Sequence, residues 1–204
     1  MTAPEDPTDP TRRRSDPVDP DLRLGARLAL PDALRRLVED LPQDAWSDHP
    51  GFGGLTLFWL ERHAGFRSLL KRISDDARTT AIGSIDVQDY APQLYRHART
   101  LLGELHGHHS IEDAQYFPQL RRLEPSVSRG FDLLEADHRD LDLRLHEFAG
   151  AVNGLLQAAQ SGALARSDVE RFADTVEGFR GLLDRHLVDE EEIVIPVLLR
   201  LSGG

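Results

Sequence analysis

Four stretches of the chain carry the same rhythm of apolar positions, in steps that alternate between four and three residues. The first covers residues 55–78, and its repeating positions are Phe52, Thr56, Trp59, His63, Phe66, Leu70 and Ile73. The second covers residues 86–123, with Leu94, Ala98, Leu101, Leu105, His108, Glu112 and Tyr116 in phase. The third begins after Pro125 and reaches about residue 160, through Phe131, Leu134, His138, Leu141, Leu145, Phe148, Val152 and Leu155. The fourth covers residues 167–201, through Phe172, Val176, Phe179, Leu183, His186, Glu190, Ile193 and Val197. This alternation lays every member of a series along one stripe of a helix, the stripe that packs against neighbours. Gly83 with Ser84, Pro125, and Ser161 with Gly162 mark the turns between them. Pro92 is tolerated near a helix start, Pro118 predicts a kink or stop late in the second helix, and Pro196 a bend late in the fourth. No strand-like alternation of useful length occurs. The predicted fold is all-α: an up-down-up-down four-helix bundle with short connections and an N-terminal extension that contains a short helix.

Three segments follow from this pattern. Residues 1–20 mix prolines, acids and arginines without periodicity and read as a disordered tail. Arg12, Arg13 and Arg14 within it fit a solvated tail better than an anion-binding patch, since three charges are few. Residues 21–54 form the extension: a short amphipathic helix with Pro31 in its first turn, ending before Pro42, then a Gly-, Pro- and Asp-rich loop. Trp46 in that loop can pack over an opening of the bundle, and His49 reads as a surface residue because no partner stands at helical spacing. Residues 55–201 are the bundle.

Composition narrows the chemistry. Cysteine is absent, so histidine and carboxylate are the strong metal ligands left, and disulfides, iron–sulfur clusters and zinc–thiolate sites are excluded. A formal net charge of −11 argues against nucleic acid and against an anionic membrane as partners. No apolar run approaches the roughly 18–20 residues that span a bilayer, and the first residues lack the apolar centre of a signal peptide. A cytoplasmic protein is the expectation.

One histidine on an apolar stripe is ordinarily a packed core residue. Here each of the four stripes holds one: His63, His108, His138 and His186. Two are followed one turn later by an acid on the same stripe, His108 by Glu112 and His186 by Glu190, and residues four apart on a helix stack on one face. A buried glutamate is costly unless paired, protonated or bound to a metal. At about 1.5 Å per residue, counting from the turns puts all four histidines within roughly two turns of one level. Four imidazoles and two bridging carboxylates, with an oxo or hydroxo bridge, fill all but about two positions on a pair of octahedral ions. Imidazole and carboxylate without thiolate suit iron, and manganese and zinc accept the same donors. The alternative register, His109 with Asp113, gives a less apolar stripe, so His108 with Glu112 is preferred and His109 is expected behind the ligands. Asp113, Glu191 and Glu192 are expected to face solvent or to stabilise cations locally. His97 and His106 lie off the stripe and read as surface.

H-H-x-x-E-D-x-x-Y-F-P from His108 to Pro118, D-H at Asp137 and His138, and H-L-x-x-E-E from His186 to Glu191 resemble the signatures of hemerythrin-like domains, the HHE cation-binding group. The resemblance covers residues 55–201 and implies a four-helix bundle around a non-haem di-iron centre. Carried onto this chain, it makes His63, His108, Glu112, His138, His186 and Glu190 the ligands, with Glu112 and Glu190 as the bridging pair. Oxygen-carrying hemerythrins place a second histidine four residues after the one on the third helix. Here that position is Asp142, with His146 a further turn on, which weighs against reversible oxygen carriage. Asp142, His146 and Tyr116 stay open as additional ligands, and Tyr116 is more simply a packed aromatic.

Three functions are then in competition. The first is a di-iron protein that binds or senses oxygen, nitric oxide or peroxide at an open coordination position, or that handles iron. The second is a di-iron enzyme of the peroxidase, catalase or nitric oxide reductase type, for which no general acid–base set stands apart from the ligands. The third is a metal-free helical interaction module, which six acids and histidines on buried stripes argue against. The protein partner is not indicated.

Overall fold

The computed structural model describes residues 20–83 and 85–202. The predicted disordered tail lies, but for Pro20, outside the described residues, as does Ser84 of the first turn. Among the described residues all regular structure is helical. A short helix α1 (Arg36–Asp40) lies in the extension, among short 3₁₀ segments at Pro20–Leu22, Asp32–Leu34 and Gln43–Asp48. Pro31 precedes the second of these turns in extended conformation. The long helices are α2 (Gly54–Ala81), α3 (Val87–Ile111), α5 (Ser128–Gln160) and α6 (Arg166–Ser202), with the short α4 (Phe117–Leu123) continuing the line of α3. Helix α2 packs on α3 and α6, and α5 packs on the same two.

Glycines open and close these helices where φ must be positive. Gly53 and Gly54, at φ 143° and 46°, turn the chain into α2, and Gly162, at φ 69°, ends α5 with Ala163 N–H reaching back to Ala158 O at 2.9 Å. No helix among the described residues is long and apolar enough to cross a membrane.

The second helix differs from its expected course. It is interrupted before Pro118, by a π turn at Glu112–Tyr116 that closes with Phe117 N–H on Glu112 O. Pro118 has no N–H and its ring crowds the carbonyl four residues earlier, that of Ala114, which lies inside the widened turn. The extra residue shifts the buried stripe by one. Phe117 and Leu120 enter the core in phase with Glu112, and the expected Tyr116 is only half-buried.

Helix α6 differs as well. Its stripe holds as far as His186, but from Leu187 onward nearly every position is buried, and the helix runs through Pro196 to Ser202. The cause is the extension. Helix α1 packs on α6, and Leu30, Leu37 and Trp46 join the core formed around Ile193, Val194 and Leu198. Trp46 is buried, with its indole N–H on Leu41 O at 2.8 Å, while His49 is half-buried with its ring bonded to Gly51 N–H.

The apolar core comes in two blocks. One gathers Phe66, Leu70, Leu105, Leu141, Leu145 and Leu183, and the other Trp59, Phe117, Phe131, Leu134 and Ile193. Where the two blocks meet, α2, α3 and α5 carry histidine, and α6 carries Glu190 one turn after His186.

Candidate metal centre

The layer between the two blocks contains His63 from α2, His108 and His109 from α3, Glu112 from the π turn, His138 from α5, and His186 and Glu190 from α6. They fall into two groups, His63, His108, Glu112 and Glu190 in one and His109, His138 and His186 in the other. Within each group one nitrogen or oxygen per residue lies within 4.8 Å of all the others. All six residues picked out by the stripe pattern therefore converge, and His109 joins them.

The two acids reach both groups. Glu190 Oε1 is 3.3 Å from His63 Nε2, and its Oε2 is 3.2 Å from His186 Nε2. Glu112 Oε1 is 2.9 Å from His108 Nε2, and its Oε2 is 3.7 Å from His138 Nε2. His63 Nε2 and His108 Nε2 face each other at 3.2 Å, and the rings of His109 and His138 stack with centroids 4.1 Å apart.

Three of the imidazoles have their far nitrogen tied to a carboxylate. His63 Nδ1 is 2.9 Å from Glu191 Oε1, His138 Nδ1 is 2.8 Å from Asp113 Oδ1, and His186 Nδ1 is 3.3 Å from Asp137 Oδ2. A carboxylate only accepts, so each Nδ1 carries a proton and each Nε2 is turned inward. Oriented imidazoles of this kind, each backed by an acid, are the usual surroundings of a metal ion.

Seven of the inward-facing atoms have no hydrogen-bond partner. Glu112 Oε1 and Oε2, Glu190 Oε2, His138 Nε2, His186 Nε2 and both ring nitrogens of His109 are buried and lack a hydrogen-bond partner. Buried polar atoms are rarely left so, and a cluster of acceptors around one volume is what a cation relieves. The donor set, nitrogen and oxygen without sulfur, fits iron, manganese or zinc.

Without a cation the charges sort themselves by mutual repulsion. Burial, then the nearby Glu190 carboxylate, raises the pKa of Glu112 well above the ordinary carboxylate range. Burial opposes the charge on Glu190, but His63 and His186 outweigh it and hold Glu190 ionised. Burial likewise opposes a charged His186, yet its bond to Asp137 and the Glu190 carboxylate 3.2 Å away push its pKa up to about 9. His63 is raised, its desolvation outweighed by Glu190 and Glu191. Burial and the neighbouring imidazoles drive His108 down to about 3 and His109 well below its normal value.

Several expectations need correction. His109 does not stand behind the ligands; its ring lies in the layer, 97% shielded from solvent. Glu191 does not face solvent; it is buried, bonding His63 and Arg67 Nη1, the latter at 2.7 Å. Asp113 is half-exposed but its carboxylate is engaged by His138, and Glu192 pairs with Arg35 at 2.8 Å. The residues left open resolve outward. Asp142 lies 3.6 Å from exposed His106, His146 bonds the Asp142 carbonyl, and Tyr116 packs its ring edge-on against Trp59 with centroids 5.1 Å apart. His97 is half-buried near Asp76 at 3.6 Å, away from the layer. The stripe pattern placed Trp59 in the core but did not show its role as donor, its Nε1–H on Glu190 Oε1 at 2.5 Å. Its place on the stripe, one turn before His63, was the available signal.

No curated protein and no solved structure matches the chain. Residues 55–198 match the model of the family described as "Hemerythrin HHE cation binding domain", a span that takes in all of the layer and most of both core blocks but none of the extension. The chain belongs to the hemerythrin HHE cation-binding domain family.

Proposed function

We propose that this chain is a non-haem di-iron protein that binds a small ligand such as oxygen, nitric oxide or peroxide. In this reading the bundle of residues 55–201 has up-down-up-down topology, and residues 21–54 form a cover packed on α6. The single observation that carries the two-ion reading is the split of both carboxylates. Each of Glu112 and Glu190 turns one oxygen to the His63–His108 side and the other to the His138–His186 side. One cation would then take His63, His108, Glu112 Oε1 and Glu190 Oε1. The other would take His109, His138, His186, Glu112 Oε2 and Glu190 Oε2.

The two sides are unequal, four donors against five, so the His63–His108 side keeps more room for an exogenous ligand. Access agrees with this. His108 is the member of the layer that retains exposure, about a tenth of its side chain, while the other six are buried. A small ligand would pass beside His108, between α2 and α3, with Phe66 against the His108 ring at 5.1 Å. When bound, iron supplies an open coordination position and one-electron chemistry. The protein supplies the fixed Nε2 lone pairs, the Trp59 donor on Glu190, and a dry, aliphatic surround.

Elemental analysis and an absorption spectrum of protein purified without chelators test the reading. About two iron per chain with near-ultraviolet bands is expected. A chain with no bound metal, or one ion per chain at saturation, would refute it.

A further inference from the structure

We propose that Arg27, delivered by the N-terminal extension, is a positioning residue of the metal centre, clamping the two buried acids that fix His186 and Glu190. The inference rests on the metal-binding reading above, and adds to it a residue outside the span that defines the family.

Arg27 is an arginine in a short irregular segment, yet its side chain is 2% exposed. Its guanidinium enters between α5 and α6. Nη1 donates to Asp137 Oδ1 at 2.8 Å and to Leu22 O at 2.8 Å, Nη2 donates to Asp137 Oδ2, and Nε donates to Asp189 Oδ2 at 2.7 Å. The fork on Asp137 is the bidentate geometry that arginine forms and lysine cannot.

Both acids are chemistry-bearing by position. Asp137 precedes His138 and accepts from His186 Nδ1; Asp189 precedes Glu190 and is wholly buried. Without the guanidinium these two carboxylates would stay buried, Asp137 with His186 and Asp189 with Arg185, which bonds its Oδ1. Asp137 would then lose the fork that aims its second oxygen at His186, and the inward Nε2 of His186 would lose its fixed direction. Burial opposes ionisation of Asp137, but the bonds from Arg27 and His186 hold it below the ordinary carboxylate range, consistent with that role.

The extension is seated for the task. Arg185 Nη1 donates to Leu28 O at 2.8 Å, Asp189 receives Arg27, and Arg35 pairs with Glu192. These contacts fall at positions 185, 189 and 192 of α6, one face of that helix. Leu24 and Leu30, on either side of Arg27, enter one core block each.

The test uses the full chain loaded with iron and follows iron release to an excess of a colour-forming chelator, with the absorption bands of the loaded protein as second readout. Arg27→Lys keeps the charge and loses the fork. Arg27→Gln with Asp189→Asn removes one cation and one anion together. Arg78→Lys, in an exposed pair with Glu177, is the control. Both Arg27 variants are expected to take up the wild-type amount of iron, to shift the bands, and to release iron at least about ten-fold faster, while the control is unchanged. Wild-type release rates and bands in both variants, whatever their melting temperatures, would overturn the proposal, as would failure of both metal-free variants to fold. A wild-type chain that binds no iron would instead overturn the metal-centre reading, and this inference with it.

Discussion

The indole N–H of Trp59 donates to Glu190 Oε1 at 2.5 Å, across the boundary between the lower apolar block and the metal layer. The oxygen it holds is the one that faces His63. Trp59→Phe keeps most of the packing and removes the donor. Hydrogen bonds to charged groups contribute about 1.5–3 kcal/mol, so the metal-free variant should lose stability of that order in denaturant titration. Iron content should persist, with shifted absorption bands, because Glu190 becomes a more basic donor. Unchanged bands and stability would show the contact to be idle.

His109 stands in the layer with neither ring nitrogen bonded, placed to serve as an iron donor in the proposed centre. His109→Ala should lower iron content as much as His138→Ala does. His97→Ala, away from the layer, should not. Full iron content in His109→Ala would reduce the centre to the four imidazoles expected from the stripes. His108→Ala and Glu190→Ala should each lower it in any case.

Glu112 has two buried, unbonded oxygens and a pKa raised by burial and by Glu190. A carboxyl raised in this way supports the metal-free fold while it holds its proton. That support is lost as pH rises above the unfolded value, through the folded one. Glu112→Gln removes the loss. The metal-free variant should be more stable than wild type at neutral pH, by about 1–3 kcal/mol, while its iron content falls. Thermal melts of the metal-free proteins at pH about 5 and about 8 decide it, since the gap should widen with pH.

Metal uptake should release protons. His186, pushed up to about 9, and His63, also raised, hold theirs in the metal-free chain, and Glu112 is neutral there. A cation competes with those protons, so apparent affinity should climb with pH until about 9 and then level off. Titration calorimetry in two buffers of different ionisation enthalpy should report the release at neutral pH. Heats independent of buffer would contradict the assignment.

The parts of this centre that a period can encode were visible in the chain itself. His63, His108, His138 and His186 stand in phase with leucines and phenylalanines, and their distances from the turns put them at one height. The parts that depend on how one helix is rotated against another were not. Glu191 is adjacent to Glu192, and only packing of α6 on α2 directs the first to His63 while the second meets Arg35. The π turn carries no periodic signature beyond Pro118, so the shift from Tyr116 to Phe117 and the inward place of His109 escaped the pattern. Arg27 was the least legible, because a lone arginine in an irregular segment reads as solvent-exposed until its partners on α5 and α6 are seen.

The division of the apolar interior into two blocks bears on how the chain comes apart. The block around Leu70, Leu141 and Phe148 and the block around Trp59, Phe117 and Leu134 meet across a layer of ionisable groups that, without a cation, leaves seven polar atoms buried and unbonded. An empty chain is thus hinged at its waist, and amide protons near Phe117 and near Leu145 should exchange with separate free energies. Bound as proposed, iron would join the halves, and the same protons should then exchange as one unit.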